Sequence, residues 1–165
     1  MYGIATDDAH HYGTIDSTRA NPARGWVMVR ANALTAEAII EAMEAGDFYA
    51  STGVTLRNIV ATESTLSVRI EGEPGVLYRT EFIGTRRGYD REAQAMPDVD
   101  GLPVTRRYSE QIGMVLAEVE GLEPTYSLIG DEFYVRARVR SSKPVANPAH
   151  EGELEMAWVQ PVVGR

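Results

Sequence analysis

A chain of 165 residues with 24 Asp and Glu against 16 Lys and Arg carries a formal charge of −8, with a sequence pI near 4.9. At this length folding hides roughly two-thirds of the surface of the unfolded chain, and 44% apolar residues are enough to fill a core, so collagen-like and wholly disordered chains are excluded. The acidic excess argues against a duplex-coating protein and no nucleic-acid partner is expected; the lack of cysteine excludes disulfides, thiolate zinc sites and a cysteine nucleophile, and fits a cytoplasmic setting.

The opening residues, Met1 to Asp8, lack the basic and apolar regions of a secretory signal, and no apolar run approaches the ~20 residues that span a bilayer. A soluble protein without a membrane partner is expected. Through Gly25 the chain is polar and broken by Gly13, Asn21-Pro22 and Gly25, which predicts a strand end, a loop and then a short strand at Trp26–Val29. A helix is predicted over Ala36–Ala45. Thr35 is its N-cap, Glu37 suits the first-turn dipole, Ile39, Ile40 and Met43 share a face, and Gly46 ends it.

Beyond Gly53 the apolar period changes from helical to alternating, so the rest is expected to be sheet. Leu66, Val68 and Ile70 fall on one side of a strand, and Phe133, Val135, Ala137 and Val139 oppose Tyr134, Arg136, Arg138 and Arg140 on another. Further strands are predicted at Tyr78–Ile83, Gly113–Val119, Thr125–Ile129 and Leu154–Val159, separated by turn signals such as Gly72-Glu73-Pro74-Gly75 and Asn147-Pro148. Residues 84–107 read as a long exposed loop or a β-ribbon. Short strands at this spacing predict a mainly β protein: an antiparallel β-sandwich, jelly-roll-like, over about 54–165, preceded by one α-helix.

The densest cluster of metal-capable side chains is Asp7-Asp8-Ala9-His10-His11. In extended backbone, positions i and i+2 project to one face about 7 Å apart, which would let Asp8 and His10 converge on a metal ion. Carboxylate oxygen with imidazole nitrogen suits zinc, iron or manganese, ions that polarise phosphoryl oxygens and generate hydroxide near neutral pH. Spacing alone leaves a solvated acidic tail as the plainer reading. Other candidates also have plainer readings: His150 is a surface-loop histidine, and Arg136, Arg138 and Arg140 form a solvated row paired with Glu across the sheet rather than a phosphate site. Ser51 has no histidine base near it in sequence, and Tyr2, Tyr12 and Trp26 pack rather than stack on a substrate.

Taken together, Gly3-Ile4-Ala5-Thr6-Asp7-Asp8-Ala9-His10-His11-Tyr12, Arg24 to Ala31, the helix running into Gly46-Asp47-Phe48-Tyr49-Ala50-Ser51-Thr52-Gly53, and the closing Tyr134 to Val139 and Ala157 to Pro161 resemble the carboxy-terminal end of a PHP-type (polymerase and histidinol phosphatase) metal-dependent phosphoesterase with its appended β-domain. The resemblance implies that residues 1–53 are a remnant of the end of a (β/α) barrel, in which Asp8 and His10 stand where the last barrel strand supplies an Asp-x-His pair to a divalent metal cluster. It implies a phosphate ester as the parent substrate. The family's earlier ligands, beginning with an amino-terminal His-x-His, have no counterpart in this sequence, so the chain alone is expected to be inactive. The alternative is a noncatalytic β-sandwich module that binds a ligand or a protein. A missing barrel would uncover apolar surface at Ile4, Trp26, Val27, Met28, Ile39, Ile40 and Met43, for which a homodimer is the expected cover.

Overall fold

The computed structural model describes residues 1–162; the last three residues of the expected β-domain lie outside the described residues. The chain forms β1 (Trp26–Val29), α1 (Ala36–Ala45), β2 (Phe48–Ser51), β3 (Leu56–Ala61), β4 (Thr65–Ile70), β5 (Tyr78–Arg86), β6 (Ala93–Pro97), β7 (Pro103–Tyr108), β8 (Met114–Glu120), β9 (Thr125–Ser127), β10 (Glu132–Pro144) and β11 (Leu154–Val159). It is mainly β and antiparallel, as the alternation implies. A six-stranded sheet in the order β1-β2-β11-β10-β5-β8 faces a three-stranded sheet in the order β3-β4-β9, and β6 and β7 form a separate two-stranded ribbon.

The helix follows its capping chemistry. The Thr35 hydroxyl accepts from the Ala38 N–H at 3.3 Å, and Gly46 takes the left-handed conformation, φ 81°, that closes the last turn. Only Ala42 of its ten residues is buried, and Ile40 remains 56% exposed. Trp26, Met28 and Ile4 are exposed as well.

The core lies between the two sheets. Leu56, Leu66, Val68, Ile70 and Tyr126 from the smaller sheet meet Tyr49, Phe82, Val135, Ala137, Val139, Ala157 and Val159 from the larger one. Strand pairing continues across the expected boundary at Gly53, because β2 pairs with β11 and carries β1 on its outer side. The region 84–107, expected as a loop or a ribbon, begins with the end of β5 and then forms the ribbon, which runs on to Tyr108 and whose β7 residues are all exposed. Two strands, β2 and β3, carry too little alternation to be read in advance: β2 is buried at all four positions, and β3 has one buried residue.

One alternation fails, and the reason is a bulge. The register of β10 on β5 shifts between Glu132 and Tyr134. The shift turns Phe133 outward to 49% exposure and places Glu132, at 0%, in the interior. Beside it Gly84 admits no side chain, since a Cβ there would lie 2.4 Å from the Tyr134 carbonyl oxygen. The Glu132 carboxylate accepts from the Tyr126 hydroxyl at 2.7 Å and from the N–H groups of Ile129 and Gly130 at 3.1 and 3.0 Å. Burial pushes its pKa up, but these donors outweigh burial and hold the group below the ordinary carboxylate value. Burial, together with the same carboxylate, pushes Tyr126 up to about 12. A depressed folded-state pKa means that the unfolded chain binds the proton more readily. The contribution of Glu132 is therefore present above the ordinary carboxylate value, 4.5, and lost as pH falls through the folded value. In urea denaturation between pH 3 and 6, the wild type should lose stability toward acid more steeply than Glu132→Gln; equal slopes would mean that the buried carboxylate is not ionised.

Candidate functional site

Residues 1–25 contain no helix or strand, so their backbone groups need partners outside any ladder. Side chains supply them. The two carboxylate oxygens of Asp7 accept from the Ala23 N–H at 2.9 Å and the Gly25 N–H at 3.0 Å. Asn21, at 0% exposure, donates to the carbonyls of His11 and Thr14 at 2.8 Å each and accepts from the Asp16 N–H at 2.9 Å. Arg24 donates to the Asp16 carbonyl at 2.9 Å and reaches Asn147, whose amide donates to the Pro22 carbonyl at 3.0 Å. The N–H groups of His10 and His11 both donate to the Ala20 carbonyl. Farther back, Gln160 clamps Gly3 in both directions: it accepts from the Gly3 N–H at 2.9 Å and donates to the Gly3 carbonyl at 2.8 Å.

This scaffold fixes Asp8 and His10 differently from the extended arrangement expected. Asp8 has φ 49°, in the left-handed region, so the alternation of a strand does not apply to it. Together with Ala23, φ 64°, it is one of two non-glycine residues with positive φ among the described residues, and both lie in this loop. A left-handed alanine costs about 1 kcal/mol or more and persists only where its surroundings dictate it. Both the Asp8 and the His10 side chains are exposed.

The imidazole of His10 is oriented by its own neighbour, because Nδ1 lies 2.6 Å from the Asp8 carbonyl oxygen. A carbonyl can only accept, so Nδ1 carries the hydrogen and, in the neutral ring, Nε2 carries the free lone pair. The Asp8 carboxylate has no hydrogen bond or ion pair among the described residues. Two unspent donors of the right chemistry therefore project from a braced loop. A closed zinc site needs four ligands, and among the described residues no group of three or more His, Asp or Glu is placed to hold an ion. Among the described residues Asp8 and His10 are two donors without a third beside them, and no hydrolytic step is assigned to the chain.

The other candidates have structural employment. Ser51 is buried and its hydroxyl donates to the Val54 carbonyl at 2.8 Å. His150 is a loop residue facing Glu153 at 3.8 Å. Tyr2 packs edge-on against Phe48 with ring centroids 5.9 Å apart, and the Tyr12 hydroxyl donates to the Ala9 carbonyl. Within the arginine row, Arg138 pairs with Glu81 as expected; the hydrogen bond from its guanidinium holds the Glu81 carboxyl below the ordinary range. Asn21 and Asn147, which anchor the loop, carried no sequence signal beyond that of a turn before proline.

No protein-family profile, no curated protein and no solved structure matches the chain. Replacement of Asn21 by alanine removes the partners of two carbonyls and one N–H in a part-buried setting, and is expected to cost about 1–3 kcal/mol. Urea denaturation, with trypsin cleavage at Arg19 and Arg24 as a local readout, checks this; unchanged stability and unchanged cleavage would contradict it.

Proposed function

We propose that this chain supplies the last Asp-x-His pair of a PHP-type divalent metal site, with Asp8 and His10 as ligands to zinc, manganese or iron, and that it does not hydrolyse phosphate esters by itself. The observation that carries the reading is the bond from His10 Nδ1–H to the Asp8 carbonyl. Metal-ligating histidines characteristically spend their second ring nitrogen on a carbonyl or carboxylate, which sets the tautomer and aims the ligating nitrogen. Here that arrangement is built from the neighbouring ligand itself. The bracing of the loop by Asp7 and Asn21 supports it, as does the left-handed Asp8, since strain that is held in place by its surroundings concentrates where a geometry is used.

The remaining donors and the barrel that would bear them must come from outside residues 1–162. That requirement fits the sparse cover on α1, where Ile40 stays exposed and one residue is buried. Two donors alone give weak binding, because affinity follows the number of preorganised ligands.

Zinc titration followed by long-range proton–nitrogen correlation of the three histidines tests the pair. Nε2 of His10 should respond first, His11 and His150 should lag, and Asp8→Ala should weaken the response about tenfold. An aryl phosphate should not be turned over. A His10 that responds no more than His150, or turnover by the purified chain, would contradict the proposal.

A further inference from the structure

A second site lies away from Asp8 and His10, on the outer face of the six-stranded sheet. There the first five residues stand off the sheet and form one wall of a groove of about 700 Å³. Its lining is mostly apolar: Ile4 on the wall, Trp158 and Pro161 from the end of β11, and Phe133, which the bulge in β10 has turned outward. That volume and that chemistry are those of small-molecule sites, which combine apolar walls with a few polar groups.

The wall is not a loose terminus. Gln160 holds Gly3 by two reciprocal hydrogen bonds, Tyr2 packs against Phe48, and the Tyr2 hydroxyl donates to the Ala45 carbonyl at 3.3 Å. The groove is thus shaped in advance of any occupant.

A single charged side chain, Arg136, lines it. Its position explains why it lacks a counter-charge. Along the same strand face, Arg138 stands opposite Glu81 and forms an ion pair with it, whereas Arg136 stands opposite Ile83, which is buried and apolar. Arg136 is half-buried and has no hydrogen bond or ion pair among the described residues. In a chain of net charge −8 with acids to spare, a guanidinium left unpaired at an apolar groove presents free donors suited to an anion.

We infer that this groove binds a small apolar monoanion, a carboxylate on an alkyl or aryl body, with Arg136 on the carboxylate and Trp158 and Ile4 along the body. Charge complementarity with Arg136, the one charged side chain of the lining, selects this occupant over a neutral apolar one. The inference does not depend on the metal site.

Decanoate and 1-decanol are the probes, with the fluorescence of Trp158 read in a Trp26→Phe background and affinities checked by calorimetry. Decanoate should bind at least about tenfold more tightly than decanol, as expected for a charge-assisted hydrogen bond in a partly dry setting. Arg136→Met should bring decanoate down to the level of decanol while leaving decanol unchanged, and Arg136→Lys should retain part of the preference. Near-UV circular dichroism reports that each variant is folded. Equal affinities in the wild type, an undiminished preference in Arg136→Met, or no binding of either probe up to millimolar concentration would overturn the inference. So would sedimentation showing a dimer whose dissociation is needed before decanoate binds, since the occupant would then be a second copy.

Discussion

Backbone N–H and carbonyl groups that leave no ladder to join must find partners elsewhere, and the first 25 residues satisfy that demand through the side chains of Asp7, Asn21, Arg24 and Gln160. Each of these side chains is planar and presents two or more hydrogen-bonding atoms at fixed spacing. Asp7 bridges two N–H groups, Asn21 bridges two carbonyls and an N–H, and Gln160 reproduces on one glycine the two-way exchange that a neighbouring strand would have provided. An irregular segment thereby acquires one conformation. Both candidate sites depend on it, because the loop sets Asp8 and His10 and the residues before it form the groove wall.

The sandwich matters chiefly as the anchor for this segment. β11 ends next to Gln160, and Asn147 lies in the turn that leads into β11, so the chain's beginning is fastened at two points to one late strand and its approach. The same sheet prepares the groove by a defect. Had β10 kept its register, Phe133 would enter the core and Glu132 would face solvent; the bulge exchanges them, gives the groove an aromatic edge, and obliges Tyr126 and two backbone N–H groups to satisfy the carboxylate taken inside. A local irregularity thus has a cost in the core and a use on the surface.

Features whose cause is local were legible in the sequence. The helix has the limits that Thr35 and Gly46 impose, and β11 spans the residues its alternation marks. The charged side of β10 was also correctly placed opposite the buried Val135, Ala137 and Val139, although Arg136 and Arg138 are half-buried rather than solvated. What stayed hidden depends on partners distant in sequence. β2 is enclosed on both faces and shows no alternation, and the inversion at Glu132 requires knowledge of Tyr126 and of the shift against β5. The left-handed turn at Asp8 lies between Asp7, which holds the Ala23 and Gly25 N–H groups, and His10, whose N–H is held by Ala20, so an extended pair was the natural reading of Asp-x-His and the wrong geometry for it. Asn21 is informative only once its partners His11, Thr14 and Asp16 are known.

Native-state hydrogen exchange of the amides of Gly3, His10, His11, Asp16, Ala23 and Gly25 tests most directly whether hydrogen bonds outside any ladder, to side chains and to the Ala20 carbonyl, hold this segment in one form. The account predicts protection approaching that of β11, even though none of these residues belongs to a strand. Exchange at the rates of an unstructured peptide at these six amides would contradict it, and would remove the common footing of both sites.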